Sequence, residues 1–151
     1  MGMGFDFRCK KCGKRYSIFL GVGMLYPSVV SELMQEIREG KHGKKRQQLC
    51  LEHPNAMVDA ENVIYICDTC GCWRELQNLT LYAPNDENYT SDDDGYLLDD
   101  FLERYHVLLE HKIRCGKCRK PMREATEEEI RHLSCPKCGT ENESTGEICW
   151  D

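Results

Sequence analysis

No stretch of the 151-residue sequence approaches the roughly 18 consecutive apolar residues of a membrane span, so none is expected to cross a bilayer. The opening Met1-Gly-Met-Gly-Phe-Asp6 lacks the basic and apolar regions of an export signal. Asp6 also stands where a myristoylation signal needs Ser or Thr. These absences lead to the expectation of a cytoplasmic protein with no membrane partner. Motifs of catalysis are missing as well. The histidines His42, His53, His106, His111 and His132 form no HExxH pattern, and there is no nucleophile elbow or phosphate-binding glycine loop. No residue is therefore assigned a catalytic role, and an enzyme with an unrecognised site stays open as a third reading.

Cysteine, by contrast, is abundant, with 11 in the chain. An odd count, no export signal and a reducing cytosol argue against a disulfide scaffold. Random placement would give about one Cys-x-x-Cys pair. The chain has four: Cys9-Lys-Lys-Cys12, Cys67-Asp-Thr-Cys70, Cys115-Gly-Lys-Cys118 and Cys135-Pro-Lys-Cys138. Such a pair sits on a tight turn that aims two sulfurs at one point, and two turns facing each other close a tetrahedron around a metal. Gly13, Gly71 and Gly139 follow three of the pairs, where the turn curls back through positive φ. Arg119 takes that place in the fourth.

Spacing in the chain suggests how the pairs combine. Cys115, Cys118, Cys135 and Cys138 are expected to form one local four-cysteine site. Cys9, Cys12, Cys67 and Cys70 are expected to form the other, closing over a long helical insertion. Cys50-Leu-Glu-His53 has similar spacing and stands as an alternative partner for Cys9 and Cys12. Cys72 reads as a buried thiol, a substitute ligand or a redox partner, and Cys149 has no assigned role.

These pairs, two of which (at Cys9 and Cys67) lead from strand through turn to strand, resemble the zinc-ribbon and rubredoxin-like group of metal sites. The resemblance covers about 27 residues from Arg114 to Thr140 and, in split form, the surroundings of Cys9 and Cys67. It implies two structural Zn2+ ions per chain, with iron as the alternative metal. Four sulfurs leave no open coordination position for catalysis.

The remaining pattern sets the fold class. Phe5 to Arg8, Arg15 to Leu20 and Asn62 to Cys67 read as strands. Val29, Val30, Leu33, Met34 and Ile37 fall on one helical face after Pro27, and Gly40 ends that helix. Gln47 to Glu52 reads as a short helix after a basic connection over 41–46. Trp73 to Tyr82 reads as extended, with a turn at Gln77 and Asn78. An acidic loop follows over 83–95. From Tyr96, an amphipathic helix is expected through Leu109, with a strand starting near His106 as the competing reading. Thr126-Glu-Glu-Glu129 has the form of a capping box. The expectation is an α+β chain of two zinc-ribbon-like β modules and two amphipathic helices. Its divisions are 1–83 with the first module, 84–111 with the acidic loop and helix, and 112–151 with the second module.

Charge is unevenly distributed: residues 1–50 carry +6, residues 51–111 carry −12, and residues 112–151 are neutral. The acidic middle opposes a phosphate backbone, so nucleic-acid binding through 1–50 is expected to be weak and a protein partner is favoured. The expected function is a structural-zinc binding module or adaptor, and the alternative is a thiol or metal redox protein.

Overall fold

In a computed structural model, residues 2–89 and 101–150 are described. The elements in chain order begin with β1 (Gly2–Arg8), β2 (Arg15–Leu20), α1 (Tyr26–Arg38), α2 (Lys44–Glu52), β3 (Met57–Val58) and β4 (Asn62–Ile66). They continue with β5 (Trp73–Gln77), β6 (Leu81–Pro84), α3 (Phe101–Arg104), β7 (Tyr105–Leu109), β8 (Arg123–Glu124), α4 (Glu127–Arg131) and β9 (Gly146–Trp150). The class is α+β, with three small sheets ordered β2-β1-β9, β3-β6-β7 and β5-β4-β8. No helix among the described residues is long and apolar enough to cross a membrane.

The chain forms two compact units, and both are discontinuous. The first takes Met1–Gly23, Glu61–Leu76 and Lys112–Asp151; the second takes Met24–Ala60 and Gln77–His111. These lines differ from the divisions 1–83, 84–111 and 112–151 expected from the sequence.

In the first unit, β1 is the central strand of its sheet. It pairs antiparallel with β2, from Met3 opposite Leu20 to Arg8 opposite Arg15, and with β9, from Gly2 opposite Trp150 to Asp6 opposite Gly146. Phe5, Phe7 and Ile18 point from one face into a core completed by Ile64, Ile130 and Leu133. The period-2 alternation of a strand makes β4 a wall shared by two cores. Ile64 faces this first core, while Tyr65 and Cys67 face a second one with Cys115 and Met122. β8 pairs with β4, placing Arg123 opposite Ile66 and Glu124 opposite Tyr65. The residues that follow turn away into α4, which opens on the expected capping box. Thr126 accepts from the Glu129 amide, and the Glu129 carboxylate accepts from the Thr126 amide. Such reciprocal capping lets so short a helix form and bury Ile130.

In the second unit, α1 buries Tyr26, Val30, Leu33, Met34 and Ile37, close to the stripe read from the sequence, with Pro27 in its first turn. Gly40, at φ 84°, carries the chain out of the helix. α2 begins at Lys44, earlier than expected, so Lys44, Lys45 and Arg46 are helical rather than part of a connection.

The helix expected through Leu109 is corrected. Residues 105–109 form strand β7, which pairs antiparallel with β6 from Pro84 opposite Tyr105 to Leu81 opposite Leu109. The physical reason is the unsatisfied edge of β6, which gains a second ladder beside β3. The start of that helix from Tyr96, and the end of the acidic loop from 90 onward, lie outside the described residues.

Candidate metal centres

Each Cys-x-x-Cys pair sits on the same turn. The amide of the first cysteine donates to the carbonyl five residues on, and the amide four residues on donates back to the first cysteine's carbonyl. In the turn at Cys9 these bonds run to Lys14 at 2.8 Å and from Gly13 at 2.9 Å. The corresponding pairs are Cys72 and Gly71 at Cys67, Lys120 and Arg119 at Cys115, and Thr140 and Gly139 at Cys135, all at 2.8 to 2.9 Å. The residue four positions on must turn back through positive φ. Gly13, Gly71 and Gly139 do so at 70°, 68° and 73°, and Arg119 does so at 63°.

These turns bring the eight expected cysteines into two groups of four. Within each group the sulfurs all lie within 4.8 Å of one another, and each group can hold a metal ion. The grouping corrects the sequence-based pairing. Cys9 and Cys12 join Cys135 and Cys138, while Cys67 and Cys70 join Cys115 and Cys118. The first pair is matched with the fourth and the second with the third, so one closure is nested inside the other.

The reason lies in the residues between the third and fourth turns. Met122 is buried with Tyr65, Cys67 and Cys115, which anchors the third turn beside the second. Eleven residues later, Leu133 is buried with Phe5, Phe7 and Ile18, which anchors the fourth turn beside the first. Between them, Ala125 donates to the Ile64 carbonyl at 2.8 Å and α4 carries the chain across β4. A short linker therefore joins two centres instead of closing one.

The sulfur spacing fits a tetrahedral ion. Zn–S bonds of about 2.3 Å imply S–S edges of about 3.8 Å. The outer centre has Cys9 to Cys138 at 3.4 Å and Cys12 to Cys135 at 3.7 Å. The inner centre has Cys67 to Cys118 at 3.4 Å and Cys70 to Cys115 at 3.5 Å. The first cysteine of each turn is buried and the second lies nearer the surface.

Backbone amides prepare these sulfurs for a cation. The Cys12 amide points at Cys9 Sγ and holds that thiol down to about 6. Amides of Cys118 and Lys117 do the same for Cys115, also to about 6. At Cys12 the Lys14 amide works in the same direction, but burial and competition with Cys9, Cys135 and Cys138 push the thiol up to about 11. Four thiolates cannot ionise together at this spacing without a cation, so metal binding would release protons.

The outer centre has a buried polar support. Asn142, 1% exposed, accepts from the Lys10 amide at 3.0 Å and donates to the Thr140 carbonyl at 2.7 Å. It thereby ties the first turn to the fourth. It also donates to Tyr16 Oη at 3.4 Å, and that hydroxyl donates to the Leu133 carbonyl at 2.9 Å. Beside the inner centre, Arg123 bridges Asp68, in the second turn, to Glu129 of α4 at 2.8 and 2.7 Å. Neither support was identified from the sequence, and nothing in Thr-Glu-Asn-Glu marks Asn142 as buried.

Other candidates lie outside the clusters. Cys50 is buried in α2 and His53 caps that helix, and neither joins a group of sulfurs. Cys72, two residues past Cys70, does not join the four. Cys149 is exposed on β9. His106 is exposed and pairs with Asn85 at 3.0 Å. No protein-family model, curated protein or solved structure significantly matches this chain.

Proposed function

We propose that this chain is a structural-zinc protein that binds two Zn2+ ions and acts as a binding module or adaptor toward another protein. The observation that carries the metal assignment is the spacing of the two sulfur tetrads, 3.4 to 3.7 Å between sulfurs of facing turns. All-sulfur tetrahedra suit zinc or iron, and hard cations prefer oxygen. Four sulfurs fill a zinc ion's coordination shell, which favours a structural role over a catalytic one. Each ion would join segments far apart in the chain, so its binding energy would contribute directly to folding.

The likeness to zinc-ribbon modules is local, in the four turns, and the adaptor role follows by analogy with what such modules do. A protein is favoured over nucleic acid because a filled four-thiolate centre carries −2 formal charge, which offsets the lysines and arginines beside it. A cytoplasmic setting fits the eight paired thiols.

Metal content of protein purified without added metal, combined with amide exchange before and after chelation, tests this reading. The expected result is two zinc ions per chain and loss of protection throughout the first unit on chelation. One ion per chain, or iron with its visible colour, would overturn it. An iron result would favour a rubredoxin-like redox role.

A further inference from the structure

A cleft of about 860 Å³ opens in the first unit between the second and fourth turns. Its wall includes Ile66, Trp73 and Leu133, together with Glu128, Glu129, Glu141 and Lys117. Cys70 and Cys135 also line it, so each sulfur cluster reaches the cleft. We propose that this cleft binds a basic, lysine- or arginine-bearing segment of a partner protein. The inference rests on the metal reading above, because the filled centres would hold the turns that frame the cleft.

Three features select this class of occupant. The first is size, since the volume lies toward the upper end of the roughly 300–1,000 Å³ common for binding pockets and suits several side chains. The second is the apolar wall. The Trp73 indole N–H donates to the Ser134 carbonyl at 2.8 Å, which fixes the ring. Long basic side chains lay aliphatic stems on such surfaces, and a guanidinium or ammonium gains from an aromatic face.

The third feature is the sign of the charge. Glu129 is engaged by Arg123, but Glu128 and Glu141 are 81% and 76% exposed. Both pair with His132, at 3.4 and 4.0 Å. A small inorganic cation would leave the apolar wall uncovered, and a phosphate backbone would meet carboxylates. A basic peptide satisfies both surfaces.

The two tryptophans, Trp73 and Trp150, provide separate indole reporters. The zinc-loaded full chain is titrated with a capped peptide alternating arginine and alanine, and with its glutamate counterpart. The expected result is a saturable shift of the Trp73 indole resonance by the basic peptide alone, with Trp150 unmoved. Glu128→Lys with Glu141→Lys should weaken binding by about tenfold or more. The milder Glu128→Gln with Glu141→Gln should weaken it less, in case charge reversal disturbs α4. Glu52→Lys with Glu103→Lys, two exposed positions of the second unit, makes the same change in net charge and should leave affinity within about twofold.

Equal weakening by both lysine pairs would reduce the effect to non-specific attraction and overturn the proposal, as would a Trp73 shift produced by an RNA oligonucleotide instead. Metal content is read on the same sample. Two ions with Trp73 unmoved overturns the cleft alone. Fewer than two overturns the metal reading and the cleft with it.

Discussion

Arg119 and Gly139 hold the same place in the third and fourth turns, four residues after Cys115 and Cys135, at φ 63° and 73°. A side chain in this left-handed region costs about 1–2 kcal/mol, which glycine avoids. Arg119→Gly should therefore stabilise the metal-loaded chain, by about 1 kcal/mol or less once glycine's larger unfolded-state entropy is counted. Arg119→Ala keeps the backbone penalty and should give no gain. Denaturant midpoints of the two variants check this, and equal effects would place the cause in the arginine side chain.

The nested grouping makes a stoichiometric prediction. Cys12→Ser with Cys135→Ser damages one cluster and should leave about one tightly held ion per chain. Cys12→Ser with Cys70→Ser damages both and should leave neither at full affinity. Pairing by sequence proximity requires the reverse outcome. Cadmium-113 resonances of the substituted protein count the intact all-sulfur sites directly.

Asn142 is a point of high cost. Asn142→Leu strands the Lys10 amide and the Thr140 carbonyl, and a buried unpaired polar group costs about 1–3 kcal/mol. The expected loss is about 2–4 kcal/mol. It should appear first as weaker metal retention at Cys9, Cys12, Cys135 and Cys138. Competition with a chromophoric chelator reads the two affinities, and an equal loss at both centres would deny Asn142 its selective role.

A pH response belongs to His111. Burial lowers its pKa from the usual value, with the charges of Arg46 and His42 adding to the shift. Its Nδ1 accepts from the Leu79 amide at 3.0 Å, so the neutral ring is the bonded form. The unfolded chain therefore binds this proton more readily than the folded one. The contribution to stability is present above the unfolded value of about 6.5 and falls as pH drops toward the lower folded value. Denaturation midpoints between about pH 5 and 8 should show this slope, and His111→Gln should flatten it. An unchanged slope would assign the response to another group.

The sequence carried the ligands more clearly than their pairing. A Cys-x-x-Cys turn is a local device, fixed by five or six residues, and all four were legible, including the anomaly at Arg119. Their pairing is decided by where Met122 and Leu133 are buried, and these are unremarkable apolar residues whose cores contain strands more than fifty positions away. The capping box at Thr126 was legible because it too is local. The strand at Tyr105–Leu109 competed with a helical stripe, and the open edge of β6 decided between them.

Nesting also sets an order of events during synthesis. Cys12 and Cys135 are separated by 123 positions, about 6–25 s of translation at ordinary rates. From the completion of Cys70 until that of Cys118, Cys67 and Cys70 are the only other completed pair available to Cys9 and Cys12. A metal ion captured early would thus hold the first two turns together and leave the last two with each other. Passage from such a state to the native one has to break Zn–S bonds at both ions. Timing of metal delivery, as much as affinity, would then select the native connectivity of this chain.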